Sequence, residues 1–205
     1  EDLLGREPIH LDSINIKGQL SEKTVLITGA AGSIGAEIVR QVSHFFPSKL
    51  ILLDQAESPL YEIENEIKEQ FGENLCEIVV ADVANISRME NVYKTFRPDV
   101  VYHCAAYKHV PIMEDNPSEA VLTNILGTKN MVDLADKYKV DSFVMVSTDK
   151  AVNPTNVMGA SKRVAEIYAQ SKSKISKTKF ITTRFGNVLG SNGSVIPLFK
   201  RQISN

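Results

Sequence analysis

Short, uninterrupted apolar runs alternate along the chain with longer segments in which apolar residues recur every three or four positions. The runs are typical of strands buried on both faces, and the longer segments are typical of amphipathic helices. The pattern predicts strands at residues 24–27, 50–53, 78–80, 100–102, 143–146 and 180–183. It predicts helices at residues 36–46, 60–71, 86–96, 117–138 and 158–173. This alternation indicates an α/β fold, a doubly wound parallel sheet with the strand order 3-2-1-4-5-6.

The two ends of the chain do not follow this pattern. Residues 1–20 carry charges and scattered apolar positions without a clear period, and we interpret them as a lead-in arm or linker. We interpret residues 21–205 as one nucleotide-binding domain with the start of a substrate-binding part. A helical segment at 194–203 has nothing after it to support. We therefore expect the C-terminal substrate lobe to be largely missing.

Composition narrows the class of partner. The 205 residues carry a formal net charge of −2 with both signs interspersed, which argues against a nucleic-acid partner. No apolar run has the length of a membrane span, and the N-terminus lacks the form of a signal peptide, so we expect a cytoplasmic location. Cys76 and Cys104 are expected to be reduced, and the absence of a Cys/His cluster predicts no metal site.

Three glycines, Gly29, Gly32 and Gly35, lie between the first strand and the next helix. In this context their spacing predicts a dinucleotide-binding turn, because glycine lets backbone N–H groups reach a pyrophosphate at a helix N-terminus. Ser33 and Ile34 belong to the same predicted site. The alternative is that the glycines only make a turn.

Residues that follow the next strands complete the predicted cofactor site. Asp54 ends the second strand, where it would accept hydrogen bonds from an adenosine ribose, and Asp82 ends the third, near the adenine. No Arg or Lys follows Asp54 closely, which favours NAD, while NADP stays open. Both aspartates are alternatively strand-end caps. The site also includes Val83, Ala105 and Ala106.

Candidate proton-transfer groups cluster after the fifth strand. Thr148, Asp149 and Lys150 end that strand, and Met158 and Lys162 share one face of the next helix. A general acid needs a protonated carboxyl group and a base needs a neutral amine, and a closed, partly desolvated site tunes both toward these states. We expect Asp149 and Lys150 to point to opposite sides of an extended backbone. The alternative is a solvated ion pair.

Four motifs carry a family likeness: TGAAGSIG at 28–35, AAYKHVP at 105–111, STDK at 147–150 and RFGNVLG at 184–190. Together they resemble the extended short-chain dehydrogenase/reductases, and more closely the nucleotide-sugar 4,6-dehydratases of bacterial capsule, O-antigen and glycan biosynthesis. The resemblance implies a Rossmann domain and a UDP-sugar substrate, with UDP-N-acetylglucosamine first among candidates. It implies hydride transfer from C4 to the nicotinamide, loss of water across C5 and C6, and hydride return to C6.

The resemblance also implies roles for the residues after the fifth strand. Asp149 would protonate the departing 6-hydroxyl, and Lys150 would remove the C5 proton. Thr148 would hydrogen-bond the 4-oxygen. Lys162 would bind the nicotinamide ribose and lower nearby pKa values.

Met158 departs from the superfamily pattern, in which a tyrosine at this position removes the 4-hydroxyl proton. A thioether cannot take that role. A subgroup of the dehydratases, largely the long membrane-anchored ones, also carries methionine here. The base for C4 oxidation stays open between Lys162, Asp149 and a water, with Tyr107 and Lys108 as further candidates.

The residues assigned to substrate binding are Lys108, Asn124, Arg184 and Asn187. For Asn124 we expect a buried amide that binds backbone near the active site, and the alternative is a solvent-facing helix asparagine. Ligands of open α/β sheets bind beyond the strand ends, which places Arg184 and Asn187 near the sugar nucleotide. Arg184 could equally form a salt bridge inside the fold. His103 and His109 are interpreted as a packed strand-end histidine and a loop residue.

Three functions fit these residues. The leading one is a lyase that uses tightly bound NAD(P), and the alternatives are a UDP-sugar 4-epimerase and a non-catalytic nucleotide-binding sensor. Asp149 and Lys150 argue against an epimerase, which needs no acid–base pair at C5 and C6. We expect a homo-oligomer. Residues 1–6 resemble the segment after the membrane region of longer relatives, so we expect an anchored parent protein with this part in the cytoplasm.

Overall fold

A computed structural model describes residues 13–186 of the chain. Its six strands form one parallel sheet in the order β3-β2-β1-β4-β5-β6, which confirms the predicted doubly wound α/β fold. The strands are β1 (Thr24–Thr28), β2 (Lys49–Asp54), β3 (Cys76–Val80), β4 (Val100–His103), β5 (Ser142–Thr148) and β6 (Lys179–Phe185). In register, Val25 of β1 lies between Leu50 of β2 and Val100 of β4.

The α-helices within the described residues are α1 (Ser13–Leu20), α2 (Ser33–Ser43), α3 (Glu57–Phe71), α4 (Ile86–Phe96), α5 (Val110–Asp115), α6 (Pro117–Ala120), α7 (Thr128–Lys137) and α8 (Val157–Ser173). The predicted helix over 117–138 is present, but its middle, Val121–Gly127, is a π-helix that joins α6 to α7. The predicted bounds of α2 were too late at both ends. Gly32 is the last extended residue before this helix, and Phe46 has a left-handed backbone (φ 54°) that a continuing helix excludes.

Two cores lie on the two faces of the sheet, because alternate residues of the central strands point in opposite directions. Val25 and Ile27 pack in the core that α2 and α3 cover. Leu26 packs in the other core, with Phe143 of β5 and residues of α4, α7 and α8. The central strands are therefore buried on both faces, which explains their continuous apolar runs.

The segment interpreted as a lead-in arm contains a helix that was not predicted. Leu20 is buried at the end of α1, and the partly buried Ile16 packs against the core that α2 and α3 cover. Over residues 13–20 the arm therefore lies on the domain. Only one apolar residue in each turn of this short helix, Ile16 or Leu20, packs against the domain. The apolar period is therefore weak, which explains why the sequence pattern did not show the helix.

The cysteines and the helices of the described residues carry neither a disulfide nor a membrane-spanning segment. Cys76 and Cys104 are free cysteines. Over residues 13–186, no helix combines the length and the apolar character needed to cross a bilayer.

Candidate functional site

A cavity of about 250 Å³ opens where the chain reverses its direction across the sheet. After β1 the chain moves outward to β2 and β3, and it then returns to the other side of β1 as β4. The walls are the glycine turn after β1, the end of β2 with the two residues after it (53–56), the residues that follow β3 and β4 (81–83 and 104–107), and Thr123. Such a switch point is where open α/β sheets bind their ligands.

The glycines of the turn are required by close backbone approach. Gly29 has a positive φ of 68°, and a Cβ there would lie 2.6 Å from the backbone nitrogen of Ala105. A Cβ on Gly35 would overlap the carbonyl oxygen of Gly29. The turn therefore packs against the backbone that follows β4 and against the start of its own helix, and a side chain at either position would displace it.

The first turn of α2 offers a place for an anionic group. Gly32 precedes the helix in an extended conformation and provides no side-chain cap. Ser33 and Ile34 begin the helix, where backbone N–H groups and the helix dipole favour negative charge. The bare turn and this helix start fit the diphosphate of a dinucleotide.

The structure places the remaining predicted cofactor residues around the same cavity. Its lining includes Asp54, Asp82, Val83, Ala105 and Ala106. The Asp54 carboxylate accepts hydrogen bonds from the backbone N–H groups of Ala31 and Ala56, each at 3.0 Å. Asp82 accepts from Ala84 at 2.8 Å. Both aspartates are thus strand-end caps that also face the cavity, and each carboxylate oxygen has a further lone pair for a ligand.

His103, which the sequence analysis interpreted as a packed histidine and not as a catalyst, connects the strand end before the glycine turn to neighbouring elements. His103 is fully buried, with Nδ1 2.8 Å from Thr28 Oγ1 and Nε2 2.9 Å from Thr128 Oγ1. Burial, assisted by the positive charge of Lys162, lowers the pKa of His103 to about 3. The ring is therefore neutral and links the ends of β1 and β4 to α7, in agreement with a packed strand-end histidine.

Lys162 reaches from α8 to the end of the sheet. Its side chain is buried, and Nζ donates a 2.8 Å hydrogen bond to the carbonyl oxygen of Val146. Burial lowers the pKa of Lys162 to about 8, although the nearby Cys104 and Glu166 oppose the change. Cys104 lines the cavity, whereas Lys162 is not among the lining residues and is linked to them only through the charge interaction with Cys104. Burial raises the pKa of the Cys104 thiol to about 12, which leaves it protonated.

Met158 is a packed residue. It is 3% exposed and forms a small core cluster with Met113 and Ala120, against which Tyr107 also packs. The phenol of Tyr107 accepts a 3.3 Å hydrogen bond from Nε2 of Gln55, which follows β2 and lines the cavity. Tyr107 therefore does not place a phenol where the methionine stands.

Asn124 is buried, as expected, and does not face solvent. Its Oδ1 accepts from the backbone nitrogen of Tyr107 at 2.9 Å, and its Nδ2 donates to Tyr107 O at 3.1 Å and to Ser161 Oγ at 2.9 Å. These partners take both Nδ2 hydrogens and one lone pair of Oδ1, and they join the π-helix to Tyr107 and to α8. The assignment of Asn124 to substrate binding stays a prediction.

Asp149 and Lys150 do not have the expected extended backbone. They begin a single 3₁₀ turn, Asp149–Ala151, and Lys150 Nζ lies 3.1 Å from Asp149 Oδ1. Thr148 Oγ1 donates a 2.9 Å hydrogen bond to the same carboxylate oxygen. The hydrogen bonds from Lys150 and Thr148 hold the pKa of Asp149 below its ordinary value. The pair is solvated, with 57% of the Asp149 side chain exposed, so the expected desolvated acid and base are not present in this form.

The turn is fixed by the first residues of α8. A Cβ on Gly159 would overlap the carbonyl oxygen of Lys150 and lie 3.2 Å from Asn156 Oδ1, the atom that caps the helix. Asn156 Oδ1 accepts from the backbone nitrogen of Gly159 at 2.7 Å. Sequence reasoning missed Gly159, and its only signal was a glycine inside a helical pattern.

Of the two alternatives for Arg184, contact with the sugar nucleotide or a salt bridge inside the fold, the structure shows the salt bridge. Its guanidinium donates to both oxygens of Glu166, at 2.8 Å and 2.5 Å. The Glu166 side chain is fully buried and also accepts from Arg163 at 3.1 Å. Burial, the largest single influence, raises the pKa of Glu166, but the hydrogen bonds from Arg184 and Arg163 and the charge of Arg184 act together against it, and the net pKa is lowered. Lys108 is exposed before α5, and Asn187 lies outside the described residues.

Comparison with known proteins places this geometry in a family. Residues 25–205 match the family described as polysaccharide biosynthesis protein. The chain is 56% identical over 207 residues to the capsular polysaccharide biosynthesis protein CapD of Staphylococcus aureus, a match that covers 100% of this chain and 35% of that protein. The solved structure of Pen from Bacillus thuringiensis has a TM-score of 0.85 at 38% identity, over 91% of this chain and 59% of that one.

Two further relatives are named for different reactions. The UDP-N-acetylglucosamine 4,6-dehydratase (inverting) of Campylobacter jejuni is 36% identical over 186 residues, which are 89% of this chain and 54% of that protein. The UDP-glucose 4-epimerase of Rickettsia bellii is 39% identical over 189 residues, with the same coverage of 89% and 54%. The chain therefore spans between about a third and about three fifths of the length of these relatives. It belongs to the polysaccharide biosynthesis protein family, as its resemblance to the nucleotide-sugar dehydratases of the extended short-chain dehydrogenase/reductases predicted.

Proposed function

We propose that this chain is the cofactor-binding and acid–base part of an enzyme that dehydrates a UDP-N-acetylhexosamine, with UDP-N-acetylglucosamine as the first candidate, to a 4-keto-6-deoxy sugar nucleotide. The observation that carries the proposal is the hydrogen-bonded pair of Asp149 and Lys150 at the end of β5. β5 lies beside β4, which lines the cavity, so the pair is one strand away from the predicted cofactor. A carboxyl group and an amine in one turn match the needs of an elimination, which adds one proton and removes another.

The cofactor in this proposal is NAD or NADP, which supplies a hydride acceptor when bound. The first turn of α2 would hold its diphosphate, and Asp54 would bind the adenosine ribose through oxygens that already orient the glycine turn. Asp82 would lie near the adenine. Lys162, whose charge interacts with the cavity-lining Cys104, would bind the nicotinamide ribose.

The ion pair needs one proton shift to become an acid and a base. Desolvation disfavours charged groups, so covering the turn with substrate and with the rest of the parent protein favours the neutral pair. A proton then moves from Lys150 Nζ to the Asp149 carboxylate along their 3.1 Å hydrogen bond. The carboxylic acid protonates the departing 6-hydroxyl, and the free amine takes the C5 proton. The elimination thereby restores the original carboxylate and ammonium.

For the earlier oxidation at C4, Lys162 is our candidate proton acceptor. Met158 cannot accept the proton, and the phenol of Tyr107 is hydrogen-bonded to Gln55 across the cavity. Lys162 is buried near the cavity, and its pKa of about 8 leaves a useful fraction neutral near physiological pH. Thr148 would hydrogen-bond the 4-oxygen at the same stage.

The test is incubation of the full-length parent protein with UDP-N-acetylglucosamine in D₂O, followed by NMR. Dehydration gives a 4-keto-6-deoxy product that carries deuterium at C5, because an exchangeable side chain removes and replaces that proton. An epimerase, which the Rickettsia relative favours, gives UDP-N-acetylgalactosamine with protium at C5. A sensor gives no product, and either of these results refutes the proposed elimination.

Two variants examine the acid–base pair separately from the oxidation. Asp149→Asn and Lys150→Met should each lower dehydration by about 10²–10⁴-fold, the usual range for a lost general acid or base. Both should still reduce the bound cofactor in a single turnover, since C4 oxidation does not use the pair. Asp141→Asn is the matched control, because Asp141 forms another exposed ion pair, with Lys23 at 2.9 Å. Equal loss in the control would contradict the assignment.

A further inference from the structure

A hydrogen bond spans the outer edge of the cofactor cavity. Gln55 follows β2 and Tyr107 follows β4, and both side chains line the cavity. Gln55 Nε2 donates to the phenolic oxygen of Tyr107 at 3.3 Å, in a solvent-exposed position. Since β1 lies between β2 and β4, the two residues approach each other across two interstrand spacings, about 10 Å. The bond thus crosses the cavity above the end of β1, where the glycine turn begins.

The two halves of this bridge differ in mobility. The backbone of Tyr107 is held on both its N–H and its C=O by the buried Asn124, at 2.9 Å and 3.1 Å. Its side chain packs against the cluster that contains Met113 and Met158. Gln55 is exposed, so its side chain can rotate away without disturbing a core. Opening the bridge therefore means moving Gln55 away from a fixed Tyr107.

We propose that Gln55 and Tyr107 form a strap that closes over the bound dinucleotide and slows its release. The inference rests on the proposed cofactor but not on the reaction. A cofactor that is oxidised and reduced again within one catalytic cycle has no need to leave the protein, so a closure that opens rarely is compatible with turnover. The strap crosses the cavity at the glycine turn, which would hold the diphosphate, and Asp149 and Lys150 are not among the residues that line this cavity.

The experiment measures release of NADH from the chain, by displacement with excess NAD and the loss of nicotinamide fluorescence in a stopped-flow instrument. Tyr107→Phe removes only the hydroxyl group, and it should raise the dissociation rate about fivefold, the effect of one hydrogen bond of ordinary strength. Gln55→Met, which keeps the length of the side chain, should do the same. Tyr61→Phe is the matched control, because Tyr61 is 58% exposed on α3 and is not among the residues that line the cavity.

The double variant separates a strap from two independent contacts. If the two side chains act through their shared hydrogen bond, Gln55→Met with Tyr107→Phe should dissociate no faster than either single variant. Multiplied effects, an unchanged rate, or slower release in the single variants would each overturn the strap. Absence of NADH binding would overturn the cofactor assignment with it. If the variants change NADH release as predicted but the parent protein forms no dehydrated sugar product, the strap is supported and only the proposed reaction is refuted.

Discussion

Replacing Gly159 by alanine should displace the turn that carries Asp149 and Lys150. The new Cβ would overlap the carbonyl oxygen of Lys150 and lie 3.1 Å from its carbonyl carbon. It would also lie 3.2 Å from Asn156 Oδ1, the oxygen that caps α8. The first neighbour is a backbone group and the second is a side chain that already caps the helix, so neither can rotate away as the end of a flexible side chain would.

The expected magnitude follows from two opposing contributions. An added carbon in a tightly packed site costs about 1–3 kcal/mol, and alanine regains up to about 1 kcal/mol over glycine inside a helix. With the full gain subtracted, Gly159→Ala should destabilise the protein by up to about 2 kcal/mol in urea unfolding. Activity should fall further, by about 10²-fold, because a shift of about 1 Å in the acid–base pair misaligns it with the sugar. NADH binding should change much less than activity, since the cavity is lined by residues at the ends of β1 to β4 and not by the turn after β5.

The control for this prediction is Gly18→Ala. Gly18 lies in α1 with nothing within 4 Å of its added Cβ, so the substitution should be neutral or stabilising by up to about 1 kcal/mol. Full activity and unchanged stability in Gly159→Ala would show that the turn tolerates displacement. The reasoning that places the chemistry on this turn would then be refuted.

Three further predictions concern buried charges and pH. Arg184→Met should lower stability by about 3 kcal/mol because it leaves Glu166 buried with a weaker partner, and the double variant with Glu166→Met should recover most of that loss in urea unfolding. Because the pKa of His103 is lowered in the folded protein, the contribution of this histidine to stability is complete above about pH 6.5 and is lost as the pH falls toward about 3. The free energy of unfolding should therefore drop by about 2 kcal/mol between about pH 7 and about pH 5. In His103→Gln the drop should be much smaller. Reduction of bound cofactor by substrate should rise with pH through an apparent pKa of about 8 as Lys162 loses its proton, and a flat profile would exclude this lysine as the base.

The sheet could be predicted from the sequence because its signals are local and redundant. Each central strand is a continuous apolar run, and each is followed by an amphipathic helix, so the strand order follows from the rules of doubly wound sheets. The glycine turn was equally accessible, since Gly29 and Gly35 stand between a strand and a helix. The residues around the cavity, such as Asp54 and Asp82, followed once the strand ends were located.

The details that decide the chemistry depend on contacts that the sequence does not display. The 3₁₀ turn at Asp149 and the role of Gly159 depend on how closely α8 approaches β5. The burial of Asn124 depends on the π-helix, which turns this amide toward Tyr107 and Ser161. Motif spacing predicted which residue types meet, but not which of them occupy one another's hydrogen bonds.

The cofactor half and the chemical half of the site differ in how far this chain completes them. The cavity has walls from four strand ends, and its turn, its carboxylates and Lys162 are already held by protein partners. The turn that carries the acid–base pair packs on one side against Gly159 of α8, but the Asp149 side chain remains 57% exposed. Solvent stabilises the ionised pair and a dry site stabilises the neutral one. The same two residues are therefore a surface salt bridge here and, in the function we propose, would become an acid and a base only when covered. Burial supplied from outside these residues is therefore the physical step that would convert a dinucleotide-binding domain into a dehydratase.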